Sequence, residues 1–257
     1  MKIATFNVNS IRSRLPIVLD WLEQDEPDAL CLQETRVADD AFPEQAFEEA
    51  GYRAAFRGDG GRNGVAIITR EPLENVSTGI DNGGPRDDDR LIRGTLGDIE
   101  IVNTYVPQGQ SVDKPAYRYK LEWLSRLVGF FGQHYTVEKP VLWCGDLNVA
   151  PTELDVHDPK RIEGHVCFNP EVREAFGRVV GWGFVDVLRK HHPEPGVYTF
   201  YDYRGRHVIE QNKGWRIDHI LTTEPLAERS VDCFVDLAPR KLEKPSDHTP
   251  LVAEFEG

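Results

Sequence analysis

The chain predicts an α/β fold in which two sheets pack face to face with helices outside. Three observations carry that expectation. Strand-like apolar runs outnumber helical ones, and many neighbouring runs are joined by connections short enough for antiparallel pairs. Three or more amphipathic helices still need a sheet surface to cover. A simple doubly wound sheet fits these observations less well. The 257 residues read as one domain, 1–257, long enough to bury a sizeable core.

The first strand is expected over residues 3–8 and an amphipathic helix over 11–24. Pro27 precedes a nearly all-apolar strand at 29–33, and Pro43 precedes a helix at 44–50. Strands follow at 52–56 and 64–69. Residues 73–90 read as a long connection, and its run Arg86-Asp87-Asp88-Asp89-Arg90 as a solvated loop. Three adjacent aspartates on an extended chain cannot all face one point. Strands at 91–96 and 99–105, a helix at 116–134 and a strand at 141–144 come next. A loop-rich stretch at 150–169 leads to a helix at 171–181. Strands at 215–221, 231–236 and 249–255 complete the chain. Pro72, Pro107, Pro140 and Pro170 punctuate these elements, and no repeat or low-complexity block interrupts them.

Composition narrows the function classes. No apolar run approaches the roughly 18 residues that span a bilayer, so no membrane association is expected. The amino terminus reads as a strand rather than a signal peptide, so the expected location is intracellular and cytoplasmic. Four cysteines occur without a CxxC pair, and they are read as structural thiols. A net charge of −13 argues against a broad basic face. It leaves room for a local basic groove drawn from Arg12, Arg14, Arg36, Arg57, Arg62, Arg204, Arg206, Lys213 and Arg216.

The motif Gly145-Asp146-Leu147-Asn148 follows the apolar run Val141-Leu142-Trp143-Cys144. A buried strand therefore delivers an Asp and an Asn, two residues apart, to one side of the backbone. A carboxylate can activate water or hold a cation, and an amide can grip a phosphoryl oxygen without adding negative charge. The same motif also suits an ordinary turn.

Other strand ends carry comparable groups. Asn7 and Asn9 share a face after the first strand, as ligands or as turn formers. Glu34 is a hard oxygen donor suited to Mg²⁺ or Mn²⁺, or a carboxylate capping the next turn. Tyr105 can donate its hydroxyl to a phosphoryl oxygen, or simply pack, and Gln108 lies in the Pro-Gln-Gly turn beyond it. Asp218 sits in an apolar strand, where a carboxylate is costly without a partner such as an imidazole. His219 would face the opposite side and is read as structural. Asp247 can orient a metal, and His248 can shuttle a proton or donate to a phosphoryl oxygen. No P-loop competes: Gly60-Gly61-Arg62-Asn63-Gly64 lacks the Gly-Lys-Ser/Thr ending and precedes a strand. His191-His192 lacks a helical His-Glu-x-x-His frame and reads as an exposed loop rather than a zinc site.

The ordered set resembles the endonuclease/exonuclease/phosphatase superfamily, and more narrowly exonuclease III and the apurinic/apyrimidinic (AP) endonucleases. It is carried by TFNVNSIRSRL, PDALCLQET, NGVAI, YVPQG, GDLNVAP, YTFYDYR, GWRIDHIL and KPSDHTPL, over residues 3–255. YVPQG, YTFYDYR and GWRID together point to the DNA-repair branch rather than to lipid phosphatases or sphingomyelinases. The resemblance implies a four-layer α/β sandwich of two mixed sheets with helices outside. It implies Glu34 as the main metal ligand, assisted by Asn7, Asn9 and Asp247. Asp146 would align or deprotonate the attacking water, and Asn148 and Tyr105 would contact phosphate. Asp218 would partner the catalytic His248. Phe200 and Trp215 match positions lining a pocket for an abasic sugar, although aromatics at strand ends are also common in cores.

The expected activity is therefore a Mg²⁺-dependent DNA-repair phosphodiesterase, with Mn²⁺ as an alternative ion. Its expected substrate is double-stranded DNA with abasic sites or 3′ ends, and the protein is expected to act as a monomer. Gln108, Arg204 and Arg216 are expected to contact that substrate. Two other readings stand beside this one: a same-fold phosphoesterase acting on a small molecule or lipid, and a non-catalytic nucleic-acid-binding relative. The balance of activities is expected to depend on the loops at 58–63 and 162–169, the latter carrying His165 and Phe168.

Overall fold

The computed structural model describes residues 1–256. The first half of the chain runs β1 (Lys2–Asn7), α1 (Ile11–Asp25), β2 (Ala29–Gln33), α2 (Glu44–Glu49), β3 (Arg53–Arg57), β4 (Val65–Thr69), β5 (Glu74–Thr78), β6 (Leu91–Leu96) and β7 (Ile99–Tyr105). The second half runs α3 (Pro115–His134), β8 (Val141–Asp146), α4 (Pro159–Ile162), α5 (Pro170–Val180), β9 (Phe184–Asp186), α6 (Val187–His191), β10 (Asp218–Thr223), α7 (Glu224–Ala227), β11 (Ser230–Val235) and β12 (Leu251–Phe255).

Side-chain alternation explains the layering. In β1, Ile3 faces one side while Ala4 and Phe6 face the other, and all three are buried. A strand apolar on both faces must be covered on both. One core lies between the sheets, where Ile3, Cys31 and Ile67 join Ile101, Leu142 and Ile220. A second sets Phe6, Leu30 and Ile68 against Val18, Trp21 and Leu22 of α1. A third sets Val102 and Trp143 against Trp123, Leu127 and Phe131 of α3 and Phe176 of α5. The α/β four-layer expectation thus holds: helices, sheet, sheet, helices.

The two six-stranded sheets have the orders β11-β12-β1-β2-β4-β3 and β5-β6-β7-β8-β10-β9. Each contains one parallel pair, β1–β2 and β7–β8, while the other pairings are antiparallel. The parallel pairs require crossovers, which α1 and α3 provide. The sheets therefore match strand for strand, and the carboxyl ends of β1, β2, β7 and β8 meet at one rim. Gly145 permits the close β7–β8 approach: its φ is +134°, and a Cβ there would lie 1.9 Å from the Thr104 carbonyl oxygen.

Several local expectations need correction. The strands β5 and β9 carry no apolar strand signal: β5 is a largely exposed edge without apolar alternation, and β9 has only three residues. The strand expected at 215–221 begins at Asp218 instead. Trp215 leaves the sheet to form bridges with Val156 and Phe200. The acidic run is not a freely solvated loop. Asp87 accepts from Trp123 Nε1 at 3.1 Å and from the Tyr119 hydroxyl, fixing the segment to α3. Asp89 accepts from Asn63 Nδ2 at 2.8 Å, tying the 58–63 loop down. His191 closes α6, with Nε2 3.0 Å from Ser230 Oγ, so it is not in a loop. All four cysteines are free and buried. Among the described residues no helix is long and apolar enough to cross a membrane.

Candidate active site

Strand ends bring the polar residues to the common rim. Asn7 ends β1, Glu34 follows β2, Tyr105 ends β7 and Asp146 ends β8. Asp218 opens β10 directly opposite Asp146 in the antiparallel register. Asp247 and His248 arrive on the turn before β12. Asn9, Glu34 and Asn148 occupy left-handed backbone conformations with φ of 46°, 52° and 51°. Such conformations are costly for residues with a side chain, and the surrounding hydrogen bonds hold them here.

Asn7 is the central bridge. Its Nδ2 donates to Glu34 Oε1 at 2.9 Å and to Asp146 Oδ2 at 2.8 Å. One amide thus draws two carboxylates from different sheets together and offsets their repulsion. Asn7 Oδ1 accepts the Asn9 backbone N–H at 3.0 Å, and Asn9 Nδ2 donates to Asp247 Oδ1 at 2.8 Å. Ser246 fastens the last turn to the first strand by donating to the Asn7 carbonyl at 2.7 Å. The second oxygen of Glu34 is paired with Arg36.

His248 lies between two buried carboxylates. Its Nδ1 is 2.8 Å from Asp218 Oδ2, and its Nε2 is 3.8 Å from Asp146 Oδ2. Burial opposes the imidazolium charge, but Asp218, Asp146 and Asp247 outweigh it and raise the pKa. Burial also raises the pKa of Asp146; His248 opposes this, while Asp218 and Glu34 reinforce it. Burial pushes the Tyr105 phenol well above its ordinary range, aided by Glu34 and Asp146. Tyr105 therefore stays a hydroxyl donor at neutral pH. Asn148 folds back so that its backbone N–H donates to Asp146 Oδ1 at 3.0 Å, and its Nδ2 donates to the Val106 carbonyl at 3.1 Å.

The donor chemistry fits a hard divalent cation. Glu34, Asp146 and Asp247 offer carboxylate oxygens, with the amides of Asn7 and Asn9 orienting them. A tighter trio also exists, since one ligand atom each of Asp146, Asp218 and His248 lies within 4.8 Å of the others. That trio is a poor cation site, because His248 is bonded to Asp218 and held towards its positively charged form. Glu34 and its neighbours are the better candidates.

Phe200 and Trp215 lie beside this cluster. Their ring centroids are 5.7 Å apart, and Phe200 is 5.0 Å edge-to-face from His248. They line a cavity of about 360 Å³ with Arg161, Arg204, Arg206 and Lys213. Part of the local basic groove therefore forms despite the acidic net charge. Gln108 is exposed on the loop after β7. His165 packs edge-on against Trp215 at 4.7 Å, whereas Phe168 is buried in the core.

The expected substrate contact at Arg216 is overturned. Arg216 is 1% exposed, with Nε 2.6 Å from Asp155 and Nη1 2.7 Å from Asp186. Leaving the sheet turns this part of the chain inward, so the guanidinium is spent on Asp155 and Asp186 and does not face solvent. Arg204 is exposed and pairs with Asp202.

Some supporting residues escaped the sequence reading. Thr199 accepts the backbone N–H groups of Ile217 and Asp218 through Oγ1 at 3.3 and 3.2 Å. Lys120 is wholly buried beneath the Asn148 loop. A lysine in the apolar helical stripe with Tyr117, Leu124, Leu127 and Phe131 was a readable sign of it.

The chain is similar to known proteins along nearly its whole length. The model of the endonuclease/exonuclease/phosphatase family matches residues 4–248. Exodeoxyribonuclease III of Haemophilus influenzae is 34% identical, covering 99% of this chain and 100% of the relative. DNA repair nuclease APEX1 of Danio rerio is 32% identical, covering 98% of this chain and 81% of the relative. An AP endonuclease structure from Archaeoglobus fulgidus superposes with a TM-score of 0.98 at 53% identity, each chain fully covered. The 3′-5′ exonuclease NExo of Neisseria meningitidis superposes at 0.95 with 35% identity, again with both chains fully covered.

Proposed function

This chain belongs to the endonuclease/exonuclease/phosphatase family, and on that premise we propose that it is a divalent-cation-dependent DNA-repair phosphodiesterase. Its proposed substrate is duplex DNA, cut at abasic sites or trimmed at 3′ ends. The observation that carries this reading is the placement of the His248–Asp218 pair and Asp146 beside Glu34. An aromatic cavity with a basic rim adjoins them. We infer that the protein acts as a monomer inside the cell, where its DNA is.

Glu34 would hold Mg²⁺ or Mn²⁺, with Asp146 and Asp247 as neighbouring oxygen donors and Asn7 and Asn9 orienting them. The bound cation would neutralise charge developing on the phosphate and the leaving oxygen. Asp146 directs a water in line at phosphorus and accepts its proton. His248, kept charged by Asp218, faces a non-bridging oxygen. The Asn148 amide and the Tyr105 hydroxyl donate to the same charge-bearing group. The bond broken is P–O3′, so both proposed activities leave a 3′-hydroxyl.

Phe200, Trp215 and the exposed Arg204 would contact the sugar and the flanking phosphates. His165 packs edge-on against Trp215, one of the aromatic residues lining the cavity. A small-molecule or lipid phosphodiester is less well served, since the basic side chains around the cavity suit a phosphate chain.

The test is a labelled duplex with one abasic analogue, incubated with Mg²⁺ or EDTA. A cation-dependent nick immediately 5′ to the lesion is expected for the abasic reading, and stepwise loss from the 3′ end for the trimming reading. No action on either DNA site, with turnover of a small phosphodiester, overturns the DNA assignment.

A further inference from the structure

Lys120 projects from α3 into the core and has no exposed surface. Its ammonium donates to three backbone carbonyls: Gln108 at 3.2 Å, Asn148 at 2.6 Å and Val166 at 2.8 Å. An ammonium has three donors, so all of them are committed. Lys120 therefore has no proton left for a substrate. Its partners are carbonyls rather than carboxylates, which makes the burial costly and calls for a reason.

The three carbonyls belong to three loops bordering the active site. Gln108 lies on the loop after β7, Asn148 on the loop after β8, and Val166 on the loop before α5. The neighbour of Val166 adds a further contact, the Cys167 thiol donating to Asn148 Oδ1 at 3.9 Å. Asn148 is thus held at its backbone carbonyl by Lys120, at its amide oxygen by Cys167, and at its amide nitrogen by the Val106 carbonyl. These contacts maintain its left-handed backbone and leave its second amide N–H for a phosphoryl oxygen.

We propose that Lys120 is a positioning residue: a three-way clamp that joins the loops and fixes Asn148 for the reaction. The kinetic part of this proposal rests on the phosphodiesterase reading above; the clamp itself does not.

The experiment compares the full chain with Lys120→Met, Asn148→Ala and the double variant, on the labelled duplex with Mg²⁺. Lys120→Met keeps the side-chain length and removes the donors. Its kcat is expected to fall about tenfold or more with little change in KM, as for other groups that orient a reacting side chain. In the Asn148→Ala background the same substitution should add almost nothing. Hydrogen exchange should rise at 106–110, 147–150 and 163–169 and stay unchanged in the sheets. An unchanged kcat, additive losses in both backgrounds, or exchange rising throughout the sheets would overturn the proposal. If Lys120→Met does not fold, Lys120→Gln, with two donors, should show a partial kcat loss, and a full wild-type kcat overturns the clamp. If the wild-type chain leaves DNA uncut, the phosphodiesterase reading fails, and the exchange pattern still decides whether the clamp exists.

Discussion

The Nδ1 of His248 stands 2.8 Å from Oδ2 of Asp218, and that aspartate is completely buried. This bond fixes the ring so that Nε2 faces Asp146, and it favours the charged imidazole. Asp218→Asn preserves the shape and removes the charge. Turnover is expected to fall on the order of 10²-fold or more, the scale for losing a preorganised electrostatic partner. The melting temperature should move by only a few degrees. Steady-state kinetics with a thermal melt checks this, and turnover within threefold of wild type would falsify the pairing as functional.

Arg204 and Arg216 should behave oppositely. Arg216→Met leaves Asp155 buried without its main partner, a change expected to cost about 3–5 kcal/mol. Urea unfolding measures that loss. Arg204→Ala should leave stability unchanged and weaken DNA binding, lowering the salt slope by about one unit for one lost phosphate contact. An Arg216 variant of normal stability with an altered salt slope would restore the discarded surface role.

These two arginines also mark where the sequence was legible and where it was not. The central strands announced themselves by apolar runs, and their polar ends gave Glu34, Tyr105, Asp146 and Asn148 as a set. That is local information. The inward course of Arg216 depends on Asp155 and Asp186, which are 61 and 30 residues away. No local pattern encodes that partnership. The acidic run at Asp87 misled for the same reason, since its partners Tyr119 and Trp123 lie on α3. The edge strand β5 lacked apolar alternation because half of its neighbourhood is solvent.

Gly145→Ala should disable the protein through its fold. The added Cβ would meet the Thr104 carbonyl oxygen at 1.9 Å, and the φ of +134° already disfavours any side chain. Both neighbours are central strands with no freedom to retreat. The expected result is loss of soluble folded protein, or a melting temperature lower by roughly 10 °C or more, from a penalty of several kcal/mol. A variant of normal stability and activity would show that β7 and β8 can separate locally.

His219 provides a pH test that does not involve the proposed cation site. Its ring is wholly buried, and Nε2 donates to the Val149 carbonyl at 2.8 Å. Burial first, and Arg216 second, lower its pKa to about 4. The unfolded chain titrates near 6.5, so between those values it takes up a proton that the folded protein refuses. The neutral histidine's contribution is complete above about pH 6.5 and declines as the pH falls towards the folded value. From pH 7 to pH 5 the loss is on the order of 2 kcal/mol. His219→Gln keeps a donor for Val149 and removes the titration. Its urea-unfolding free energy should therefore fall less than the wild type's over the same interval. Equal losses in both proteins would show that the folded ring protonates freely, contrary to its burial. Asp155 cannot mimic this effect: Arg216 and Arg189 outweigh burial and hold its pKa below the ordinary carboxylate range, so its contribution fades only below about pH 4.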